Sequence, residues 1–334
     1  MRNILVTGGL GYIGSHTVVE LIKNGYTPII IDNLSNTEID VLARLESITN
    51  HKLEYHNLDI CNGLALEEIF SKHNIDAVIH FAAFKAVGES VENPLKYYLN
   101  NINGLNTLLN AMEKNKVKNI VFSSSCTVYG EPDFSPVNEN AVIKRANSPY
   151  GRTKQIGEDI LQDCKFLNTV SLRYFNPIGA HASSKIGELP LGVPNNLVPF
   201  ITQTAIGIRE QITVFGNDYN TKDGTCIRDY IHVVDLAAAH VKALSYINDN
   251  PENQFEVVNI GTGNGFTVLE VIQTFEKVNN LKLNYTIGPR RSGDVEKVWA
   301  DASKAREKLR WEAKLNLNDM LISSWNWQLE LKNK

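Results

Sequence analysis

The chain has 334 residues, 43% hydrophobic and 21% charged, which is enough apolar material for one large or two moderate domains and excludes a disordered polymer. Its net charge of −4, with lysines and arginines scattered, leaves no basic stripe and excludes nucleic acid as an expected partner. No apolar run reaches the ~20 residues of a bilayer span and Met1 and Arg2 lead straight into a short strand, while Cys61, Cys126, Cys164 and Cys226 are too far apart to pair or chelate, so a reduced cytoplasmic protein with no membrane contact and no metal is expected.

In chain order, short β-branched runs at residues 3–6, 28–31, 77–81, 119–123 and 169–173 alternate with longer helix-period stretches. That alternation predicts an α/β fold: a Rossmann-type parallel sheet flanked by helices. Helices are expected over 12–24 and over 95–116, the second with Leu95, Tyr98, Leu99, Ile102, Leu105, Leu109 and Met112 at helical spacing. After Asn176 and Pro177 the texture turns to proline, glycine and asparagine, with an irregular loop over 187–199. A boundary is placed there, giving a first domain over 1–176 and a smaller α/β substrate-binding domain over 177–334. The apolar segments 227–234 and 256–260 are expected to return and complete the first sheet, which makes the second domain discontinuous.

The first strand runs directly into Thr7-Gly8-Gly9-Leu10-Gly11-Tyr12-Ile13-Gly14. Glycines at 9, 11 and 14 satisfy a dinucleotide fingerprint, and those at 8, 11 and 14 recur every third residue. A side chain here would hold the backbone away from a pyrophosphate, whereas bare glycines let the amides at a helix amino terminus meet the charge. Asp32, ending the second strand, is placed to accept from the adenosine ribose hydroxyls and to repel a 2′-phosphate, which selects NAD over NADP. The competing reading is a loop aspartate that caps a helix. Asp59 is a candidate for the adenine side, or an ordinary solvated turn aspartate.

Ser148-Pro149-Tyr150 opens a helical segment in which Tyr150 and Lys154 share one face. An ammonium ~5 Å from a phenol, at an effective dielectric near ~20, contributes roughly 3 kcal/mol and lowers the phenol's pKa by about 2. Tyr150 is thus a candidate general base and Lys154 its tuner, although a tyrosine and lysine at this spacing are also common as a surface contact. Upstream, Ser123-Ser124-Ser125-Cys126-Thr127 ends a strand at the carboxyl edge of the sheet, where ligands bind. Ser125 is placed to share the reacting proton with Thr127 beside it, unless the turn only satisfies its own backbone.

The glycine loop, the serine turn and the tyrosine-lysine pair together resemble the extended short-chain dehydrogenase/reductase superfamily. HFAAFKAVGES at 80–90, RYFNP at 173–177, RDYIHV at 228–233 and WAD at 299–301 are similar to the UDP-glucose 4-epimerase family, in family order across nearly the whole chain. The resemblance implies an isomerase of galactose metabolism that keeps NAD bound, oxidises the sugar at C4 to a ketone and returns the hydride to the opposite face. It implies Tyr150 as base, Ser125 as proton-sharing partner and Lys154 as tuner. It places Gly8, Gly11, Tyr12, Ile13, Gly14, Asp32, Asn33, Asp59, Ile60, Phe81, Ala82, Lys85, Asn100 and Phe175 at the cofactor, together with those three. Lys85, Ser125, Thr127, Tyr150, Asn176, Asn196, Leu197, Thr213, Val214, Phe215, Arg228, Arg291, Asp294 and Val298 are implied at the UDP-sugar. A homodimer through the 95–116 helix and the Tyr150 helix is implied too, though their apolar stripes equally suit an ordinary core.

Val298 stands where bacterial relatives often carry tyrosine beside the sugar's C2, so UDP-GlcNAc and UDP-GalNAc are expected as further substrates. Cys126 stands where alanine is expected and is read as packing. Two other readings were weighed. A nucleotide-sugar 4,6-dehydratase needs an acid-base carboxylate pair after the serine, where this chain has Cys126 and Thr127. A non-catalytic NAD sensor would carry a broken tyrosine-lysine pair, and this one is intact.

Overall fold

The computed structural model describes residues 2–252, 255–291 and 294–332. Thirteen strands are described in chain order: β1 (Asn3–Thr7), β2 (Thr27–Asp32), β3 (Glu54–Asn57), β4 (Ala77–His80), β5 (Asn119–Ser123), β6 (Asn168–Tyr174), β7 (Asn176–Ile178), β8 (Ile212–Phe215), β9 (Ile227–His232), β10 (Phe255–Ile260), β11 (Gly265–Thr267), β12 (Tyr285–Gly288) and β13 (Lys297–Val298). Seven form one parallel sheet in the order β3-β2-β1-β4-β5-β6-β10.

This sheet is buried on both faces, and the period-two rule sorts its side chains. Ile4, Val6, Ile30, Ile79 and Val121 enter one core, while Leu5, Ile29, Ile31, Val78, Ile120 and Phe122 enter the other. The first core is covered by α1 (Tyr12–Lys23) and by the helix Val233–Asp249, and the second by the helices Gly63–Lys72, Asn103–Lys114 and Pro149–Asp163. Strand order reverses between β1 and β4, and their carboxyl ends touch there: a Cβ on Gly8 would lie 2.9 Å from the Ala82 nitrogen. Such a reversal opens the crevice in which parallel sheets take ligands.

Four sequence expectations change. β3 was not foreseen, because Glu54-Tyr55-His56-Asn57 lies at the sheet's edge, half in solvent, and carries no apolar run. Of the two returning segments, residues 255–260 pair with β6, but 227–232 stand in a separate sheet with β7, β11 and β13. Only the helix that follows β9 at Val233 turns back onto the first sheet. The helix expected over 95–116 is interrupted: Pro94–Tyr97 is α-helical, Tyr98–Ile102 forms a π turn, and α-helix resumes over Asn103–Lys114. The extra residue of a π turn rotates the helix face, so Leu105, Leu109 and Met112 are buried while Leu95 and Leu99 are 73% and 61% exposed. The loop expected to Pro199 ends earlier, since a helix starts at Leu197 and takes Pro199 in its first turn, where a missing N–H costs nothing.

The second half has its own core, in which Ile201, Val214, Tyr230, Val271, Phe275 and Leu321 pack together under the β7-β9 sheet, the β8-β12 pair and the last helix, Leu317–Lys332.

Candidate functional site

The glycine loop is closed by its own backbone. Gly8 takes a positive φ of 69°, and a Cβ on Gly14 would lie 2.2 Å from the Gly8 carbonyl oxygen. Gly11 caps α1 without a side chain, and the first turn carries no acidic residue. The helix amino terminus therefore presents open amides and a positive dipole end, which fits a pyrophosphate. Asp32, only 6% exposed, accepts from the Leu10 and Leu34 amides at 3.1 and 3.0 Å. Burial raises its pKa while these amides and that of Gly11 oppose the rise; Asp32 braces the loop and is not the N-cap of either flanking helix, whose N-caps are Gly11 and Ile39. On the adjoining strand ends, Asn33 donates to Asp59 at 3.0 Å, and Ile60 is buried against Gly104. Ile13 packs partly buried on the first core.

Lys85, Asn196 and Tyr12 converge on a residue the sequence reading missed. Lys85 Nζ and Asn196 Nδ2 both reach Glu188 Oε1, at 3.1 and 2.7 Å. Lys85 Nζ also lies 5.7 Å from the centre of the Tyr12 ring, and the Tyr12 hydroxyl donates to the Gly179 carbonyl at 2.6 Å. Glu188 is itself pinned where Trp327 Nε1 donates to its carbonyl at 2.9 Å. A glutamate inside an irregular loop carries no local signal of this.

Asn100 lies in the π turn and donates to Asn101 at 2.9 Å. The buried neighbour, also missed, is the more connected of the two. Asn101 accepts from the Phe84 amide at 2.9 Å and donates to the Phe84 carbonyl at 3.0 Å and to Thr153 at 3.1 Å. It thereby ties the loop of Phe81 and Ala82 to the Tyr150 helix.

That helix, Pro149–Asp163, starts at Ser148, whose hydroxyl accepts from the Gly151 amide at 3.2 Å. Ser125 accepts from the Thr127 amide at 3.2 Å, and its hydroxyl lies near enough to Tyr150 to oppose the rise in the phenol's pKa. The Thr127 hydroxyl is buried with no partner among the described residues, leaving one polar group to be met. Lys154, 4% exposed, donates to the Ser123 carbonyl at 2.7 Å, and its Nζ is 4.8 Å from the Phe122 ring centre and 6.0 Å from that of Tyr150.

The electrostatic expectation needs correction. Burial pushes the Tyr150 phenol well above its ordinary range, with Ser125 the only group acting to lower it. Burial also brings Lys154 down to about 8, against the pull of Glu158 one turn on. Desolvation of the phenolate outweighs the help expected from the ammonium, because the dielectric of ~20 used for a near-surface pair does not describe a phenol removed from water. Glu158 is a third group the sequence reading missed. It accepts from Ser124 and Ser171 at 2.7 and 2.8 Å and forms a two-toothed ion pair with Arg173, Nη2 to Oε2 at 2.6 Å.

On the other side of the cleft, Phe175 is buried beside Val298, Val128 and Tyr129, and Asn176 lies in β7 opposite Tyr230. Leu197 opens its helix, while Thr213, Val214 and Phe215 form β8, with Val214 in the core and Phe215 42% exposed. The Arg291 guanidinium sits 5.6 Å from the Phe215 ring centre. Asp294 holds Arg291 through two bonds, at 2.8 and 3.2 Å, and Arg228 at 3.7 Å. Two arginines and an open aromatic face thus meet from three distant stretches of chain, a donor set suited to a diphosphate and a flat base.

Comparison with known proteins agrees with this geometry. A family model described as GDP-mannose 4,6 dehydratase matches residues 5–323. A UDP-glucose 4-epimerase of Dictyostelium discoideum is 53% identical over 329 residues, covering 97% of this chain and 95% of that protein. Among solved structures, UDP-glucose-4-epimerase from Stenotrophomonas maltophila, with bound NAD and formylated UDP-arabinopyranose, superposes with a TM-score of 0.97 at 46% identity, covering 100% of this chain and 99% of the other. UDP-glucose 4-epimerase from Bifidobacterium longum, in complex with NAD+ and UDP, gives 0.94 at 45% identity over 99% of both chains. The chain belongs to the UDP-glucose 4-epimerase family, NAD-dependent enzymes built on the extended short-chain dehydrogenase/reductase fold.

Proposed function

We propose that the chain interconverts UDP-glucose and UDP-galactose by inverting C4, with Tyr150 moving the proton of the 4-hydroxyl. The observation that carries this is the buried Tyr150 in the first turn of its helix, with Lys154 one turn on and its Nζ 6.0 Å from the phenol ring centre, at the carboxyl edge of a parallel sheet whose glycine loop suits NAD. Bound NAD supplies the hydride acceptor and donor. Ser125 would pass the O4 proton to Tyr150 as the C4 hydrogen leaves with its electron pair for the nicotinamide, giving a 4-keto sugar. Reversal on the opposite ring face returns both, and no net oxidation results. A phenol held high by burial keeps its proton even with the Lys154 ammonium one turn away, and the oxidised nicotinamide, when bound, would add the cation that lowers it.

The UDP side anchors the nucleotide through Arg228, Arg291 and Phe215, with Asp294 aligning both guanidiniums. Strong anchoring of the UDP leaves the sugar free to present either face; specific sugar contacts would favour one epimer and slow the turn. Incubating the purified protein with UDP-galactose and no added cofactor is expected to yield UDP-glucose without NADH accumulation. Loss of the 6-hydroxyl would instead indicate elimination, for which the turn after Ser125 offers no carboxylate. Tyr150→Phe is expected to keep its NAD and lose at least ~10²-fold in turnover; near-normal turnover would remove the residue from the mechanism.

Val298 pairs in register with Arg228 and packs against the turn that follows Ser125. Its small side chain is taken to admit an N-acetyl group at C2, extending the substrates to UDP-GlcNAc and UDP-GalNAc. Val298→Tyr should depress N-acetyl turnover far more than hexose turnover, and equal loss of both would refute the assignment.

The exposed Val87, Val91, Leu95 and Leu99 on the segment leading into the helix Asn103–Lys114 form an apolar face suited to a second copy of the chain. Sedimentation at micromolar concentration is expected to show a homodimer, and a monomer there would reject it. Among the described residues no helix is long and apolar enough to cross a membrane, and all four cysteines are free thiols, which supports a reducing, cytoplasmic setting.

A further inference from the structure

At the outer edge of the NAD-side sheet, three side chains from two elements point at one another. Glu54 and His56 are two apart on β3 and so project from the same face. His73 caps the carboxyl end of the helix Gly63–Lys72, which carries the chain from β3 back towards β4. His56 Nε2 lies 3.1 Å from His73 Nε2 and 3.1 Å from Glu54 Oε1, and His73 Nε2 lies 3.6 Å from that same oxygen. The two imidazoles are largely buried, the carboxylate about half exposed.

Protons satisfy this triangle only in part. If one proton bridges the two rings, a bare imidazole nitrogen faces the carboxylate oxygen; if both rings donate to that oxygen, which can accept two bonds, their N–H groups face each other across 3.1 Å. A cation outside the plane faces all three lone pairs at once. The dimensions agree with that: ligands at ~2.0–2.1 Å from a tetrahedral ion are about 3.3 Å apart, and the observed edges bracket this value. An ion seated there keeps its fourth position towards solvent for a water. Two imidazoles and one carboxylate select a borderline transition ion over calcium or magnesium, which prefer oxygen alone.

We propose that Glu54, His56 and His73 form a binding site for a divalent transition ion of the zinc class, clamping the edge strand β3 to the helix that follows it. Among the described residues the lysine that already meets Glu54 is Lys72, whose Nζ stands 3.2 Å from Glu54 Oε1. Its ammonium is mostly exposed, and a solvated ion pair of this kind is worth at most ~1 kcal/mol, so it yields to a metal. The site sits at the far edge of the sheet, three strand positions from β4 and its loop. It touches neither Tyr150 nor the nucleotide side, and its effect is on the stability of the β3 edge rather than on turnover.

The test uses the full-length, tag-free protein stripped of metal. Zinc chloride titrated by calorimetry is expected to saturate at one ion per chain, and cobalt chloride to give the intense visible absorption of tetrahedral Co²⁺. His56→Ala and His73→Ala should each weaken zinc binding by at least ~10-fold, since losing even an outer partner of a metal ligand costs ~10–100-fold. Zinc should raise the melting temperature of the parent chain and not of the variants, while epimerase turnover stays the same in all three. The proposal is overturned by the absence of saturable zinc binding, by a weak octahedral cobalt spectrum, or by variants that bind zinc as the parent does, which would move the ion to another group such as the exposed thiol of Cys61.

Discussion

On the NAD side of the cleft the groups expected to face the cofactor are mostly backbone, and other backbone holds them. Gly14 closes on Gly8, Gly8 on Ala82, and Asp32 accepts from the Leu10 and Leu34 amides. On the UDP side they are side chains, Phe215, Arg228 and Arg291, held by one carboxylate, Asp294, and partly open to solvent. The difference suits two ligands with different fates. A cofactor that stays bound is met by a surface formed with the fold, whereas a substrate that comes and goes is met by side chains that exchange an internal ion pair for its phosphates at little cost.

Three measurements sharpen or break this contrast. The largest effect is expected from Gly14→Ala. Its new methyl would sit 2.2 Å from a carbonyl oxygen, backbone against backbone, so the cost should exceed the ~1–3 kcal/mol of ordinary overpacking. The purified variant should carry no NAD by absorbance, and normal cofactor content would show that the loop gives way more easily than argued. A smaller effect is expected on the UDP side, where Arg291→Ala should raise KM for UDP-galactose about 10- to 100-fold, the worth of a hydrogen bond to a charged group. Bound NAD and melting temperature should be nearly unchanged, and loss of NAD would mean that the two sides are not independent.

The third test is acid, and its effect is graded with pH. Burial holds His80, hydrogen-bonded to Thr7 at 2.8 Å, and His16 on α1 down to about 3. The unfolded chain takes up these protons below about 6.5 and the folded chain does not until far lower, so stability is present above pH 6.5 and is lost as pH falls towards 3. The loss is up to about 1.4 kcal/mol per pH unit for each histidine. Since both lie beside the glycine loop, NAD should be released in this window before the second half unfolds. Stability that stays flat from pH 7 to pH 4 would contradict the burial argument.

Much of the NAD side was legible because its signals are local. The 3-6-28-31 alternation of apolar runs, the glycine spacing and the four-residue interval between Tyr150 and Lys154 follow from strand and helix periods, and the structure keeps them. The edge strand β3 was illegible because half of it faces water, so it lacks the pattern burial imposes. Glu188, Asn101 and Glu158 were illegible for a different reason: each matters through partners 8 to 103 positions away, and nothing in the neighbouring residues marks a polar side chain that will meet them.

What the sequence by itself determined is the α/β class, the glycine turn and the pairing of Tyr150 with Lys154 on one helix face, since each depends on φ/ψ preferences and spacing within a few residues. The tertiary structure alone decided that 255–260 joins the first sheet and 227–232 does not, that Arg228 and Arg291 meet on Asp294, and that the Tyr150 phenol sits above its ordinary pKa rather than below it. These outcomes are sums over distant groups and over the water that burial removes, and neither quantity is written in the order of the residues.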